Sequence, residues 1–207
     1  MKPINVGLLG IGTVGGGTFT VLERNREEIS RRAGRDIVIT VVADKDMKRA
    51  NEVVKGRAKV IDDAMAVVND PSIDIVVELI GGTGISKQLI LKAISNKKHA
   101  VTANKALLAQ HGNEIFAAAQ KEGVMVAFEA AVAGGVPIIK SLREGLAANR
   151  IEWIAGIING TSNFILSEMR EKGASFDDVL KQAQKLGYRS EEHTSELQSR
   201  GLISYAV

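Results

Sequence analysis

The chain has 207 residues, of which 45% are hydrophobic, 25% charged and only 4% aromatic. It contains no cysteine, and its formal net charge is +3 at pH 7. This balance is typical of a soluble globular protein, and the lack of cysteine excludes disulfides, thiolate catalysis and cysteine-ligated metals. Because the basic residues are spread along the chain and no apolar run approaches the roughly 20 residues that cross a bilayer, we predict no nucleic-acid partner and no membrane span.

The first 130 residues alternate apolar strands with helical patterns. The N-terminus has no signal-peptide pattern, which favours a cytoplasmic protein, and it leads into the first of five predicted strands, 4–9, 36–44, 74–82, 99–104 and 124–130. Predicted helices lie between them at 13–32, 62–69, 85–96 and 105–122, with Gly112 as a candidate break in the last. In the first helix the candidate inward residues are Val14, Phe19, Val21, Leu22 and Ile29. This alternation predicts a doubly wound, Rossmann-type α/β domain with a parallel sheet over residues 1–130.

After residue 130 the pattern changes and predicts the incomplete start of a second, α+β domain over residues 131–188. We expect a helix at 137–146, a strand at 150–158 and two helices at 159–173 and 175–187. Residues 189–207 differ again, because Leu197 is the only aliphatic residue between Arg189 and Arg200. We expect this tail to lie outside both domains.

The stretch GIGTVG, directly after the first predicted strand, has Gly10, Gly12 and Gly15 in the spacing of a dinucleotide-binding loop. Gly10 permits a tight turn, Gly12 lets the backbone approach a pyrophosphate, and Gly15 permits close packing of helix on strand. The helix N-terminus adds free N–H groups and partial positive charge. We interpret the loop as a dinucleotide site; the alternative is a glycine-rich turn that binds no ligand.

Asp44, at the end of the second predicted strand, is placed to accept a hydrogen bond from a ribose 2′-hydroxyl and so to favour NAD. Lys45, Lys48 and Arg49 follow it and could hold the 2′-phosphate of NADP instead. The choice between NAD and NADP therefore stays open. Asp44 could also be an ordinary turn residue at a strand end.

Lys105 follows the fourth predicted strand, at the carboxyl edge where parallel sheets bind ligands. Its ammonium could bind a substrate or cofactor oxygen, or transfer a proton. The alternative is a surface lysine that starts a helix. Thr102 and Asn104 are predicted to line the same rim, whereas the histidines have no metal-site or triad spacing and are predicted to be structural or exposed: His99, His111 and His193.

Glu129 precedes a run of small residues in the stretch FEAAVAGGVPI (128–138). Its carboxylate and the nearby carbonyl oxygens could hold a monovalent or hard cation. Alternatively, Glu129 hydrogen-bonds the following turn, and the residues taken alone favour this second interpretation.

Four stretches, GLLGIGTVGGG, VTANKALLA, EAAVAGGVPII and GIINGTSNFIL, together resemble bacterial homoserine dehydrogenase from Met1 to about Tyr188. The last three are more specific than the glycine loop, and with no kinase-like segment before that loop the resemblance is to the monofunctional form. It implies reversible NAD(P)-dependent interconversion of L-homoserine and L-aspartate 4-semialdehyde, on the route to threonine and methionine. It also implies a homodimer that is joined through the second domain.

The resemblance further implies which residues form the site. The cofactor would contact Ile11, Gly12, Thr13 and Val14, with Gly187 near the nicotinamide and Lys105 contacting both cofactor and substrate. The substrate would lie near Asn159, Gly160 and Thr161. A sodium ion would be bound by Glu129 and by the carbonyl groups of Val132, Gly134 and Val136.

The chain departs from the family pattern after Tyr188. The family continues with a substrate-binding glutamate and an Asp-Pro, and later with a catalytic aspartate and lysine, whereas Arg189 and Ser190 follow here and no lysine occurs after Lys185. The stretch RSEEHTSELQS resembles translated sequencing-adapter read-through, so we expect residues 189–207 to be non-native. Two hypotheses follow: a homoserine dehydrogenase that is incomplete and inactive in this form, or a non-catalytic dinucleotide-binding module.

Overall fold

A parallel sheet organises the first of two compact units. The computed structural model describes residues 2–156 and 160–186, and the chain divides into units 1–147 and 148–207, each described by itself. The described strands are β1 (Ile4–Leu9), β2 (Ile37–Ala43), β3 (Lys59–Ile61), β4 (Ile75–Glu78), β5 (His99–Thr102) and β6 (Val126–Ala127). They lie in the order β3-β2-β1-β4-β5-β6 and every neighbouring pair is parallel. The order reverses between β1 and β4, which is where doubly wound sheets bind ligands.

Helices cover both faces of this sheet. They are α1 (Thr13–Arg24), α2 (Arg26–Ala33), α3 (Met47–Val54), α4 (Ala64–Asn69), α5 (Gly84–Ser95), α6 (Lys105–Glu122) and α7 (Ile138–Lys140). Leu8 packs on one face in a cluster with Phe19, and the next residue, Leu9, packs on the other face in a cluster with Leu89. Burial on both faces explains why the strands are continuous apolar runs rather than alternating ones. The predicted Rossmann-type α/β fold is confirmed.

The first predicted helix is two helices, because α1 ends at Arg24 and α2 begins at Arg26. Phe19 is fully buried, but the predicted inward positions of Val14 and Val21 are wrong, since these side chains are 57% and 43% exposed. The helix contacts the sheet through a narrow stripe that contains Gly15 and Phe19, so residues one position away from that stripe face outward.

Two elements between residues 45 and 62 were absent from the sequence prediction. The strand β3 has three residues and α3 has eight, so each is too short to be recognised from the spacing of its apolar residues. The predicted break at Gly112 is absent, because α6 is continuous from Lys105 to Glu122. Gly112 is buried, and a Cβ there would meet the Phe116 ring at 3.4 Å, which indicates close packing rather than a hinge.

The segment 131–147 lies within the first unit, whereas the sequence prediction began the second domain at residue 131. The predicted helix 137–146 is the short α7 followed by a π-helical turn, Ser141–Gly145. Both oxygens of Glu129 accept backbone N–H groups of this segment, from Ile139 at 2.8 Å and from Lys140 at 2.9 Å. These bonds tie the segment to the end of the sheet.

The described part of the second unit is a pair of helices, α8 (Gly160–Lys172) and α9 (Phe176–Lys185). They pack through Ile165, Val179 and Ala183, and Ser175 caps α9 by accepting a hydrogen bond from the Asp178 amide. Of the predicted strand 150–158, residues 151–156 have no regular structure, and residues 157 and 158 lie outside the described residues, as does the predicted tail 189–207. In the described part of the chain, no helix has the length and apolar character of a membrane span.

Candidate functional site

The glycine loop joins β1 to α1 at the carboxyl edge of the sheet. Gly10 has a φ of 89°, and a Cβ on it would lie 2.7 Å from the Leu79 carbonyl oxygen. A Cβ on Gly15 would lie only 2.0 Å from the Gly10 carbonyl oxygen. A Cβ on Gly12, by contrast, would have no heavy atom within 4 Å. Two of the three glycines are therefore required by the fold itself, and the third faces open space.

The N-terminus of α1 supplies hydrogen-bond donors beside that open space. Gly12 is its N-cap residue, no side chain caps it, and its first turn has no acidic residue. The amide groups of this turn are therefore available to an anion, and the helix dipole favours negative charge there. Thr13 and Val14 are exposed on this turn, whereas the Ile11 side chain is buried in the core and presents only its backbone to the loop.

Asp44 fixes the glycine loop to the end of β2. One of its carboxylate oxygens accepts the Ile11 amide at 2.6 Å, and the other accepts the Asp46 amide at 2.8 Å. Each oxygen keeps a second lone pair for a hydroxyl group of a ligand. Of the basic residues that follow, Lys45 is held by a bond from its Nζ to the Asp62 carbonyl, and Lys48 and Arg49 are exposed.

A buried polar network lies under the loops that follow β4 and β5. Glu78, the last residue of β4, is fully buried and accepts the Thr102 hydroxyl at 2.8 Å. Thr102 in turn accepts the Asn104 amide at 3.0 Å, and Asn104 caps α6 by accepting the Leu107 amide at 3.0 Å. Thr102 is only 1% exposed, so it supports the predicted rim from beneath.

Lys105 is the first residue of α6 and its side chain is exposed at the same edge of the sheet. Among the described residues its ammonium has no hydrogen-bond or salt-bridge partner. A cation in the first turn of an 18-residue helix lies at the positive end of the helix dipole, which costs about 0.3–1 kcal/mol. Helix stability therefore does not explain this lysine, and an anionic or oxygen-bearing ligand would offset its cost.

The segment around Glu129 shows the hydrogen-bonding arrangement that the residues alone favoured, because each carboxylate oxygen accepts a backbone amide of α7. The Val136 carbonyl also accepts the Ile138 amide at 2.8 Å. Ala133 and Gly134 have φ values of 53° and 57°, so the chain turns sharply between them. The candidate cation ligands lie within the short segment 129–136, and they are oxygen atoms, as a hard cation requires.

The remaining predicted site residues belong to the second unit, residues 148–207. Gly160 and Thr161 begin α8 in the second unit, and Asn159 and Gly187 lie outside the described residues. No cluster of three acidic or histidine residues that could hold a metal occurs within residues 2–156 and 160–186. His99 is structural, since its Nδ1 accepts the Met125 amide at 3.0 Å, and His193 lies beyond the described part.

Two buried charged residues were missed by the sequence interpretation, Glu78 and Lys98. The sequence feature that could have indicated each of them is a charged residue within or beside an apolar run. Lys98 lies at the opposite, amino-terminal edge of the sheet, where its Nζ donates to the carbonyls of Asp70 and Ile73 at 2.5 and 2.8 Å. Burial lowers the pKa of Lys98, and the charges of Asp70 and Asp74 partly oppose that shift.

Two family models match the chain. The model described as "Homoserine dehydrogenase, NAD binding domain" matches residues 10–129, and the model "Homoserine dehydrogenase" matches residues 137–200. The homoserine dehydrogenase of Pseudomonas aeruginosa is 60% identical over 199 residues, and that of Neisseria gonorrhoeae is 61% identical over 198. Each alignment covers 96% of this chain but 45% of the relative, so the chain spans under half the length of the curated relatives it matches.

Solved structures agree with this likeness. The homoserine dehydrogenase of Thiobacillus denitrificans is 66% identical with a TM-score of 0.85, over 93% of this chain and 44% of that one. The enzyme of S. aureus is 37% identical with a TM-score of 0.76, over 95% and 46% of the two chains. A hyperthermophilic archaeal homoserine dehydrogenase in complex with NADPH has a TM-score of 0.76 over 99% and 67%, but at 24% identity it shows the shared fold alone.

Proposed function

The chain belongs to the homoserine dehydrogenase family, and from this premise we propose that it is the dinucleotide-binding part of an enzyme that interconverts L-homoserine and L-aspartate 4-semialdehyde with NADP or NAD. The observation that carries the proposal is the crevice at the carboxyl edge between β1 and β4. At one edge of the sheet lie the open space over Gly12, the uncapped N-terminus of α1 and the ammonium of Lys105, which has no partner among the described residues.

The residues present fit a dinucleotide. The uncapped first turn of α1 supplies amide donors for a pyrophosphate, and the absent side chain of Gly12 lets the phosphate oxygens reach them. The Asp44 carboxylate keeps lone pairs for a ribose hydroxyl. When bound, the nicotinamide supplies the hydride chemistry of the reaction.

Lys105 is the residue of this chain that we assign to the reacting end. Oxidation of an alcohol to an aldehyde removes a hydride from carbon and a proton from the hydroxyl group. The Lys105 ammonium would bind the oxygen of the cofactor or substrate, orient it, and stabilise the negative charge that develops as the hydroxyl proton passes to a general base. The family resemblance implies that this base belongs to the catalytic residues that the family has after the position of Tyr188. The exposed position of Lys105 without a partner among the described residues supports this role.

Coenzyme choice, assembly and location are further parts of the proposal. Asp44 supports NAD, whereas the exposed Lys48 and Arg49 support NADP. We propose use of both coenzymes. We also propose that the complete protein is a cytoplasmic homodimer, which rests on the family resemblance.

A sodium site at Glu129 completes the proposal. The ligands would be its carboxylate and the carbonyl oxygens of Val132, Gly134 and Val136, all within the segment 129–136. Each oxygen that already accepts an amide keeps a lone pair for the ion. If this holds, sodium chloride should raise the melting temperature of the chain more than choline chloride at equal ionic strength, and Glu129→Gln should remove that difference. An equal response to both salts would exclude the site.

The test of the main proposal is a titration of the purified chain with NADPH and then NADH, followed by nicotinamide fluorescence. We expect saturable binding of both that Gly12→Ala weakens, because the added methyl group occupies the open space. Homoserine and NADP are then mixed with the chain. Binding without turnover supports a dinucleotide-binding part, turnover shows a complete enzyme, and failure to bind either coenzyme rejects the proposal.

A further inference from the structure

Glu78 is a buried carboxylate with no basic partner. It ends β4, its exposed fraction is 0%, and among the described residues no lysine or arginine forms an ion pair with it. Removing a carboxylate from water is costly unless hydrogen bonds replace the lost hydration. Where a side chain serves only to fill a core, an apolar residue of similar size does so at lower cost. The four hydrogen bonds that Glu78 accepts therefore indicate its structural role.

Those bonds divide between two loops at the carboxyl edge of the sheet. Oε1 accepts the amides of Ile80 and Gly81 at 2.9 and 3.3 Å and the Ser86 hydroxyl at 2.9 Å, which fixes the loop after β4. Oε2 accepts the Thr102 hydroxyl at 2.8 Å, which reaches the end of β5. The sheet register brings these two together, because Glu78 and Thr102 are directly paired on β4 and β5.

The Thr102 branch continues to the start of α6. The hydroxyl of Thr102 accepts the Asn104 amide, and Asn104 caps the helix whose first residue is Lys105. The side-chain amide of Asn104 also donates to the Gly82 carbonyl at 2.6 Å, so the two loops are joined a second time. One buried carboxylate is thus connected, through the Thr102 hydroxyl, to the backbone from which Lys105 extends.

We propose that Glu78 is a positioning residue that holds the Asn104–Lys105 turn, through Thr102, in the geometry that the ligand of this edge requires. The proposal rests on the proposed function in assigning a dinucleotide to the crevice. Glu78 does not touch that ligand, since it is fully buried, and Thr102 is almost fully buried as well. Both act through the turn that they hold.

Three variants of the whole chain test this. Thr102→Val preserves shape and removes the link from Glu78 to Asn104, and Glu78→Gln removes the charge while keeping the size. Ser86→Ala is the matched control, because it removes one donor to Oε1 of the same carboxylate and leaves the bond between Oε2 and Thr102 in place. Amide hydrogen exchange at Asn104 and Leu107 is measured without cofactor, and NADPH affinity and urea unfolding are measured on the same samples.

We expect Thr102→Val and Glu78→Gln to accelerate exchange at both amides and to weaken NADPH binding about five- to ten-fold. This is less than the roughly ten-fold or more expected for losing a charge-assisted hydrogen bond to the ligand itself, because both residues act through the turn. Ser86→Ala should leave the exchange rates and the NADPH affinity unchanged, even where it lowers stability as much as the other two variants do. This difference separates a positioning role from a merely structural one. Unchanged exchange in Thr102→Val and Glu78→Gln would overturn the inference. Failure of the unaltered chain to bind NADPH would overturn the proposed function instead, and the exchange result would still decide whether Glu78 holds the turn.

Discussion

Replacing Gly15 with alanine would place a methyl carbon 2.0 Å from the Gly10 carbonyl oxygen. No side-chain rotation can relieve this contact, because the backbone fixes the positions of both atoms. The helix must move away from the loop, and overpacking of this kind costs about 1–3 kcal/mol or more. The better helix propensity of alanine returns up to about 1 kcal/mol. We expect a net loss of about 2 kcal/mol in the free energy of unfolding, which lowers Tm by about 4–8 °C.

Two neighbouring glycines provide matched controls on the same loop and helix. A Cβ at Gly17, inside α1, or at Gly12 would meet nothing within 4 Å. Gly17→Ala should therefore stabilise the chain by about 0.5–1 kcal/mol and leave NADPH binding unchanged. Gly12 has a φ of −60°, which alanine tolerates, so Gly12→Ala should change stability by less than about 0.5 kcal/mol. Its added methyl group should nevertheless raise the dissociation constant of NADPH about ten-fold or more, since it stands where the pyrophosphate approaches.

Urea unfolding and a fluorescence titration of each variant measure the two quantities separately. We expect Gly15→Ala to have a lower free energy of unfolding, and Gly12→Ala to bind NADPH more weakly at nearly unchanged stability. Equal stability of Gly15→Ala and the unaltered chain would refute the packing argument. Unimpaired NADPH binding by Gly12→Ala would refute the placement of the ligand.

Three further predictions concern the lysines of the two sheet edges. Lys105→Ala should weaken NADPH binding by the chain without lowering its stability, and in a complete enzyme it should reduce kcat/KM by orders of magnitude. A fluorescence titration measures the first effect and a steady-state assay the second. Dissociation constants and kcat/KM values equal to those of the unaltered protein would remove Lys105 from the site. Lys98→Met should lower the free energy of unfolding in urea by about 2–4 kcal/mol, because two backbone carbonyls lose their buried donor; a loss below about 1 kcal/mol would contradict this. Burial lowers the pKa of Lys98, so the unfolded chain holds this proton to a higher pH than the folded chain does. The free energy of unfolding should therefore rise relative to that of Lys98→Met as pH increases from the lowered pKa toward the ordinary value of 10.5. Paired urea titrations over that range would show a constant difference in unfolding free energy between the two proteins if the shift were absent.

The glycine loop could be predicted from the sequence because its requirements are local. Gly10 and Gly15 are fixed by contacts within a few residues of one another or with the adjacent loop, and the strand–glycine–helix order is visible in the sequence. Asp44 could be placed at a strand end for the same reason. Its bond to the Ile11 amide, 33 residues away, required the parallel pairing of β1 with β2.

The network under Lys105 could not be predicted, because it depends on which residues of β4 and β5 lie opposite each other. Glu78 and Thr102 are 24 residues apart, and only the sheet register makes them neighbours. The same limit explains the missed β3, whose three residues form a strand through pairing with β2 rather than through their own pattern. Sequence periodicity reports burial along one element, whereas these features arise between elements.

A crystal structure of the chain with NADPH tests the central claim most directly. We expect the pyrophosphate over Gly12 at the N-terminus of α1, a ribose beside Asp44, and the Lys105 Nζ within hydrogen-bond distance of the cofactor. Density for NADPH elsewhere on the molecule, or a pyrophosphate with no contact to the first turn of α1, would contradict it.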